Sequence, residues 1–288
     1  MWESRKRNGV GVGLTKILTV GPRPDPNADG GIDQHASENM SQRTAIVTGG
    51  ARGIGRGCAH DLAKAGFNLV LVDLLEENLA ATATEIRQLG TAVCTYVADV
   101  SDHTLAQSIA AEVIEQFGQI NFLFNNAGRA MPKGLLEISE AEWDSTININ
   151  LKSCFNWCRA VVPFMLENED GGRIVNMSSI NALSGGVTSA VSKFCYAAAK
   201  AGILGFTRSL AKELGPTIFV NAICPGLIKT ERPNAVIRAR EEELVSGIVL
   251  NRVGTPTDVA QLVTFLATTE PCFITGQHFI IDGFQWKL

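Results

Sequence analysis

The chain has little of several things. Two tyrosines, Tyr96 and Tyr196, occur in 288 residues, so chemistry that needs a phenol has two candidates. Charged residues make up 19% and the formal net charge is −4, which excludes a disordered polyelectrolyte. A pI near 5.7 leaves no basic footprint for nucleic acid. The short run Arg5-Lys6-Arg7 reads as a solvated tail. No apolar run is long enough to span a membrane, and the first forty residues lack an apolar signal-peptide core. The seven cysteines are scattered with no Cys-x-x-Cys pair, which excludes zinc-ribbon and thioredoxin readings. Cys154 and Cys158 share a helix face and read as buried thiols. His35, His60, His103 and His278 form no ligand motif, so no metal site is expected. This cysteine usage fits a reducing, cytoplasmic setting.

Residues 1–40 read as a disordered extension, because Pro22, Pro24, Pro26, Gly30 and Gly31 break any long helix. Met40 then stands as a candidate initiator. From about residue 43 the pattern alternates. Short apolar strands are expected at 44–48, 68–72, 92–97, 121–124, 173–177, 219–223 and 278–281. Helical spacing fills 54–65, 76–89, 104–117, 195–214 and 256–267, with one long helix or two between 140 and 166. Thr257-Asp258 supplies cap chemistry for the last of these helices. Continuous apolar strands between helices imply an α/β fold with a parallel sheet covered on both faces. No linker or composition shift divides residues 41–288, which are expected to form a single domain.

The segment Thr48-Gly49-Gly50-Ala51-Arg52-Gly53-Ile54-Gly55 sits between the first strand and the first helix. A pyrophosphate must approach backbone N–H groups at a helix N-terminus, and side chains there would block it. Gly49 serves the tight turn, Gly53 the close approach and Gly55 the helix packing. Asp73 ends the second strand, where its carboxylate can accept bonds from a ribose 2′-hydroxyl and would repel a 2′-phosphate. That favours NAD over NADP. Glu76 three residues later also fits Asp73 as a helix N-cap. Arg52 pulls the other way, since a guanidinium there could meet a 2′-phosphate. Asp99 and Val100 follow the third strand, where they can bond an adenine amino group and pack on its ring, or Asp99 can act as a cap.

Together with Asn125-Asn126-Ala127-Gly128 and Tyr196-Ala-Ala-Ala-Lys200, these residues make the chain resemble the short-chain dehydrogenase/reductase family over about residues 43–284. The resemblance implies a single doubly wound, Rossmann-type domain with a seven-stranded parallel sheet. It also implies hydride transfer between NAD(P) and an alcohol or carbonyl substrate, and a homodimer or homotetramer.

Reducing a ketone leaves an alkoxide that needs a proton, so the site requires a positioned acid, or a base in reverse. A free tyrosine, with a pKa of about 10, is a poor base; a nearby ammonium favours its phenolate. Tyr196 and Lys200 are four apart and share a helix face, whereas Tyr96 has Val100 at that spacing and lies in a strand. Lys200 would also hold the nicotinamide ribose. Ser178-Ser179 follows the fifth strand, and a hydroxyl there can stabilise developing charge on the substrate oxygen. Family order assigns that role to Ser179 and makes Ser178 structural. Asn150, in Asn148-Ile149-Asn150-Leu151-Lys152-Ser153, resembles the family asparagine whose local backbone distortion holds a water, completing a proton path from Tyr196 through a ribose hydroxyl and Lys200. By the same resemblance, Asn126, Ala127 and Gly128 flank the adenosine ribose. Pro225-Gly226 follows the sixth strand, with Ile228 and Thr230 near the nicotinamide amide or the cofactor phosphate.

One departure from the family stands out. Ser179 precedes Tyr196 by 17 positions, a longer gap than in most members, and the shorter family spacing falls on Leu183. An insertion around Ser184-Gly185-Gly186-Val187-Thr188-Ser189 is expected. Ala182, Leu183 and Val187 are candidates for an apolar substrate wall, and residues 231–250 for a variable lid. Three readings remain: an NAD-dependent secondary-alcohol dehydrogenase without a metal; an NADPH-dependent reductase of 3-oxoacyl carriers, favoured if Arg52 dominates; and a non-catalytic nucleotide-binding scaffold.

Overall fold

The structure, a computed structural model, describes residues 42–186, 192–231 and 241–285. The expected extension, the middle of the expected lid and Val187-Thr188-Ser189 lie outside the described residues.

The strands are β1 (Thr44–Thr48), β2 (Asn68–Asp73), β3 (Val93–Val97), β4 (Phe122–Asn125), β5 (Gly172–Met177), β6 (Ile218–Pro225) and β7 (His278–Ile281). They form one seven-stranded sheet in the order β3-β2-β1-β4-β5-β6-β7, every pairing parallel. The helices are α1 (Gly53–Lys64), α2 (Glu76–Arg87), α3 (His103–Phe117), α4 (Glu140–Ile147), α5 (Ser153–Glu167), α6 (Asn181–Ser184), α7 (Phe194–Leu214), α8 (Glu241–Ser246) and α9 (Pro256–Thr268).

Strand alternation divides the core between the two faces. Ala45, Val47, Leu69, Leu71, Phe122 and Phe124 point toward α1, α2 and α9. Ile46, Val70, Val72, Leu123, Ile174 and Val220 point toward α3, α5 and α7, where Trp157 is fully buried. Strands covered on both sides favour apolar residues on both faces, which is why Ala45, Ile46 and Val47 of β1 run consecutively apolar. Burying each such aliphatic side chain contributes roughly 1.5–3 kcal/mol. At the sheet edge β3 is only half-buried, and there Thr95 and Tyr96 interrupt the apolar run.

The stretch between 140 and 166 resolves into two helices. The π-helical turn Asn148–Lys152 joins α4 to α5. Such a turn inserts an extra residue into the helical ladder and re-aims what it carries; here it carries Asn150.

Two capping expectations are corrected, and a third is met by Asp258 but not by Thr257. The N-cap of α2 is Leu75, and Asp73 is not its cap. Asp102, not Asp99, caps α3 by accepting from the Leu105 N–H. For α9 the cap is Thr255, in a capping box with Asp258, with Pro256 opening the helix. In the first two cases the strand-end acid is held by other bonds near the cavity described next.

Candidate active site

The sheet order reverses between β1 and β4, so the connections leaving these strands diverge to opposite faces. In a doubly wound sheet that switch point opens a crevice at the carboxyl ends of the strands. A cavity of about 620 Å³ lies there, lined by residues that follow β1 through β6.

Its first half is built on glycine. Gly49 and Gly53 have φ of +66° and +58°, in the left-handed region. A Cβ on Gly49 would lie 2.8 Å from Asn126 Nδ2, and one on Gly55 would lie 2.0 Å from the Gly49 carbonyl oxygen. The Asn126 amide donates to the carbonyls of Thr48 and Gly49 at 2.9 and 3.0 Å, tying β4 to the turn. The turn is thus a bare backbone cradle at the N-terminus of α1, the surface a dinucleotide pyrophosphate requires. Because the clash at Gly55 is with backbone, neither atom can rotate away. Gly55→Ala is expected to lower Tm by about 5 °C or more, corresponding to overpacking of roughly 1–3 kcal/mol. It should also weaken dinucleotide binding at least about tenfold, because the cradle itself must shift. Thermal melts and fluorescence titration check both effects.

Asp73 stands at the cavity wall with its carboxylate already oriented. Oδ2 accepts from the Ala51 N–H and Oδ1 from the Leu75 N–H, each at 3.1 Å. The acid therefore bridges the glycine-rich turn and the end of β2. Asp99 Oδ1 accepts from the Ser101 N–H and hydroxyl at 2.8 and 2.7 Å, a local turn beside the largely buried Val100. Arg52 also lines the cavity. No carboxylate among the described residues forms an ion pair with it.

The other half carries polar side chains that can act on a proton. Tyr196 and Lys200 lie on α7, one turn apart, and both line the cavity. Lys200 Nζ lies 5.6 Å from the centre of the Tyr196 ring and donates to the Met177 carbonyl at 2.7 Å. The lysine is 2% exposed. Burial lowers its pKa from 10.5 to about 8, because the charged form loses water. Cys154 and Cys224 lie near it, but burial pushes both thiols up, so neither is a thiolate at neutral pH. Ser178 is buried and donates to the Lys200 carbonyl at 2.8 Å. Ser179 faces the cavity and accepts from the Asn181 N–H at 3.2 Å, which leaves its own O–H to donate.

Asn150 is fully buried and does not line the cavity. Its Oδ1 accepts from the Arg129 N–H, and its Nδ2 donates to the carbonyls of Arg129 and Thr146. A Cβ on Gly128 would sit 2.8 Å from Asn150 Oδ1 and 3.5 Å from Lys200 Nζ, so glycine alone leaves that gap open.

Of the catalytic and cofactor-binding residues expected from the sequence, Gly55 and Asn150 stand behind the wall; all the others line the cavity. Ala182 and Leu183 do not line it. They pack with Leu204, Ala222 and Cys224, because one-turn helix α6 turns them onto α7 and β6. Gly185 and Gly186, with φ of +73° and +93°, then redirect the chain at the start of the expected insertion. Sequence reasoning missed Leu74, Leu75, Ala98, Arg129, Ala130, Ile149, Met177 and Leu227 as lining residues. Most of them adjoin a residue already singled out. Extending each strand-end motif by one or two positions would have found them, whereas Ile149 reaches the cavity from the π-helical turn.

A family model described as enoyl-(acyl carrier protein) reductase matches residues 49–283. The 3-oxoacyl-(acyl-carrier-protein) reductase FabG of Thermotoga maritima is 38% identical over 247 residues, covering 85% of this chain and 98% of that protein. Oxidoreductase UcpA of Salmonella typhimurium is 36% identical over 253 residues, covering 85% of this chain and 94% of that protein. A solved short-chain dehydrogenase/reductase from Brucella melitensis, titled a glucose/ribitol dehydrogenase, superposes with a TM-score of 0.78 at 32% identity, covering 86% of this chain and 100% of that one. With the sheet order, the glycine cradle and the Tyr196–Lys200 pair, these likenesses set aside the non-catalytic scaffold: the chain belongs to the short-chain dehydrogenase/reductase family and is an NAD(P)-dependent oxidoreductase acting on CH–OH groups.

Proposed function

We propose that the enzyme interconverts a secondary alcohol and its ketone with NAD(H), using Tyr196, Lys200 and Ser179 and no metal. The observation that carries this reading is the fixed carboxylate of Asp73 at the cavity wall, held by two backbone N–H groups. A carboxylate so held retains lone pairs for the two hydroxyls of an unmodified ribose and opposes the dianionic 2′-phosphate of NADP. Gly49, Gly53, Ile54 and Gly55 shape the pyrophosphate cradle, Asp99 and Val100 the adenine wall, and Asn126, Ala127 and Gly128 the floor between. Pro225, Gly226, Ile228 and Thr230 close the nicotinamide end. When bound, the cofactor supplies or accepts the hydride.

The protein's own groups handle the proton. The Tyr196 hydroxyl gives its proton to the substrate oxygen during reduction and takes it back during oxidation. Charged Lys200 favours the phenolate in between. The Ser179 O–H, with its oxygen already oriented by Asn181, donates to the substrate oxygen as charge develops. Asn150 is a positioning residue: its three bonds to Arg129 and Thr146 fix the backbone beside Gly128, over which Lys200 Nζ lies.

Wild-type enzyme should favour NAD over NADP in kcat/KM by about tenfold or more. Asp73→Ala should bring the two near parity by losing charge-assisted bonds worth roughly 1.5–3 kcal/mol to the NAD ribose. Steady-state kinetics with both cofactors measure this, and a wild-type preference for NADP would overturn the assignment. The competing reading is an NADPH-dependent reductase of 3-oxoacyl carriers. It is favoured by Arg52, which has no ion-pair partner among the described residues, and by the likeness to the Thermotoga maritima 3-oxoacyl-(acyl-carrier-protein) reductase.

We further read residues 41–288 as one domain preceded by an extension over residues 1–40, working in the cytoplasm. Seven free cysteines fit that compartment. A homodimer or homotetramer fits the exposed apolar side chains Phe273, Ile280 and Phe284 in and flanking β7, an edge strand of the sheet. Among the described residues no helix is long and apolar enough to cross a membrane.

A further inference from the structure

The start of α1 is occupied by a group from far along the chain. Arg52, at the N-cap position, offers no side-chain cap. Glu231 does so instead: its Oε2 accepts from the Gly53 N–H at 2.9 Å. Its other oxygen accepts from Arg56 Nη1 at 3.1 Å. The preceding residue, Thr230, lies against the same turn, with its methyl group 3.2 Å from where a Gly53 Cβ would be. Gly53 and Thr230 both line the cavity.

We propose that Glu231 is a built-in competitor for the phosphate cradle, so that the cofactor's pyrophosphate must displace its carboxylate from the Gly53 N–H. The proposal rests on the NAD(P)-dependence derived above. A carboxylate and a phosphate make the same bonds at a helix N-terminus: anionic oxygens accept from a backbone N–H and pair with a guanidinium. One N–H cannot serve both anions at full strength, and two anions at that distance repel each other.

Exchange is built into the arrangement. The Glu231 side chain is 52% exposed, so its carboxylate can return to water when displaced. Arg56 is not stranded by the exchange, because Glu85 accepts from it at 2.8 and 3.0 Å. Glu231 is thus a determinant of cofactor affinity that no glycine or acid motif marks.

The test is isothermal titration of NADH, NADPH, ADP and adenosine into wild type, Glu231→Gln and Glu85→Gln. Glu231→Gln should bind NADH and ADP about three- to tenfold more tightly, the range for removing a charge from a helix N-terminus. Adenosine, which lacks phosphate, should bind all three proteins alike. Glu85→Gln removes a charge from the same arginine but not from the Gly53 amide, and should stay within about twofold of wild type. Unchanged or weaker NADH and ADP binding by Glu231→Gln overturns the proposal. So does equal tightening by Glu85→Gln, or equal tightening for adenosine, since the effect would then be general charge or a changed cavity. Failure of wild type to bind NADH, NADPH and ADP would instead overturn the cofactor reading itself, and the competitor role with it.

Discussion

Tyr196→Phe should lower kcat by a factor of about 10³ or more while changing the Kd for NADH by less than about threefold, the scale expected for removing a positioned acid–base group. The substitution deletes one oxygen. The ring keeps its half-buried place on α7 and its position 5.6 Å from Lys200 Nζ, so the cation remains over an aromatic face. What disappears is the proton donor for the alkoxide, or the acceptor in the reverse direction. Ser179 cannot replace it, because a serine hydroxyl is too weak an acid to give up its proton at neutral pH and is suited only to donate a hydrogen bond. The measurement is steady-state turnover in both directions beside a fluorescence titration of NADH. Turnover within tenfold of wild type, with binding intact, would show that another group carries the proton and that the Tyr196 mechanism is wrong.

Lys200→Met should separate activity from stability. Turnover is expected to fall by roughly 10²–10³, because the phenolate loses the charge that favours it. Stability at pH 7 should change little or rise. The wild-type ammonium sits in a site 2% exposed, with its pKa lowered by burial to about 8. Burying that charge costs stability, and an apolar side chain of similar length avoids the cost. Against this, the Met177 carbonyl loses its 2.7 Å partner, a penalty of about 1–3 kcal/mol.

The pH dependence gives the sign. The folded pKa lies below the ordinary 10.5, so the folded state disfavours the protonated form. The cost is fully present below pH about 8 and is relieved as pH rises from about 8 toward 10.5. Wild type should therefore gain stability relative to Lys200→Met between pH 7 and pH 10, read from urea unfolding of both proteins. A constant difference across that range would mean Lys200 is not the buried cation described here. Activity surviving in Lys200→Met would remove it from the proton chemistry.

Much of the fold was legible because each layer leaves a local signature. Parallel strands covered on both faces are largely apolar at consecutive positions, as Ala45-Ile46-Val47 of β1 and Leu69-Val70-Leu71-Val72 of β2 are. The helices of α/β units carry one apolar face and announce themselves by period. The cofactor cradle was legible for a related reason. A backbone that must approach an anion closely can tolerate no side chain, so Gly49, Gly53 and Gly55 mark it directly. Tyr196 and Lys200 were legible because one helical turn separates them and the chain has just one other tyrosine.

Contacts between distant segments were not legible. An acid at a strand end looks like a helix cap when only its neighbours are visible. In the fold, Asp73 instead reaches the Ala51 N–H, and Asp99 closes a turn on Ser101. Ala182 and Leu183 looked like a substrate wall until α6 turned them onto α7 and β6. The π-helical turn that sets Asn150 behind the cavity depends on packing between α4, α5 and α7, which no window of sequence contains. Glu231 meets Gly53 across 178 positions, a contact between segments that no local pattern links. Which residues can carry charge, proton or bare backbone is written in the chain, because those are properties of side chains and of their absence. Which of them face one another is set by the fold, because contacts between distant segments follow from how the sheet and helices pack.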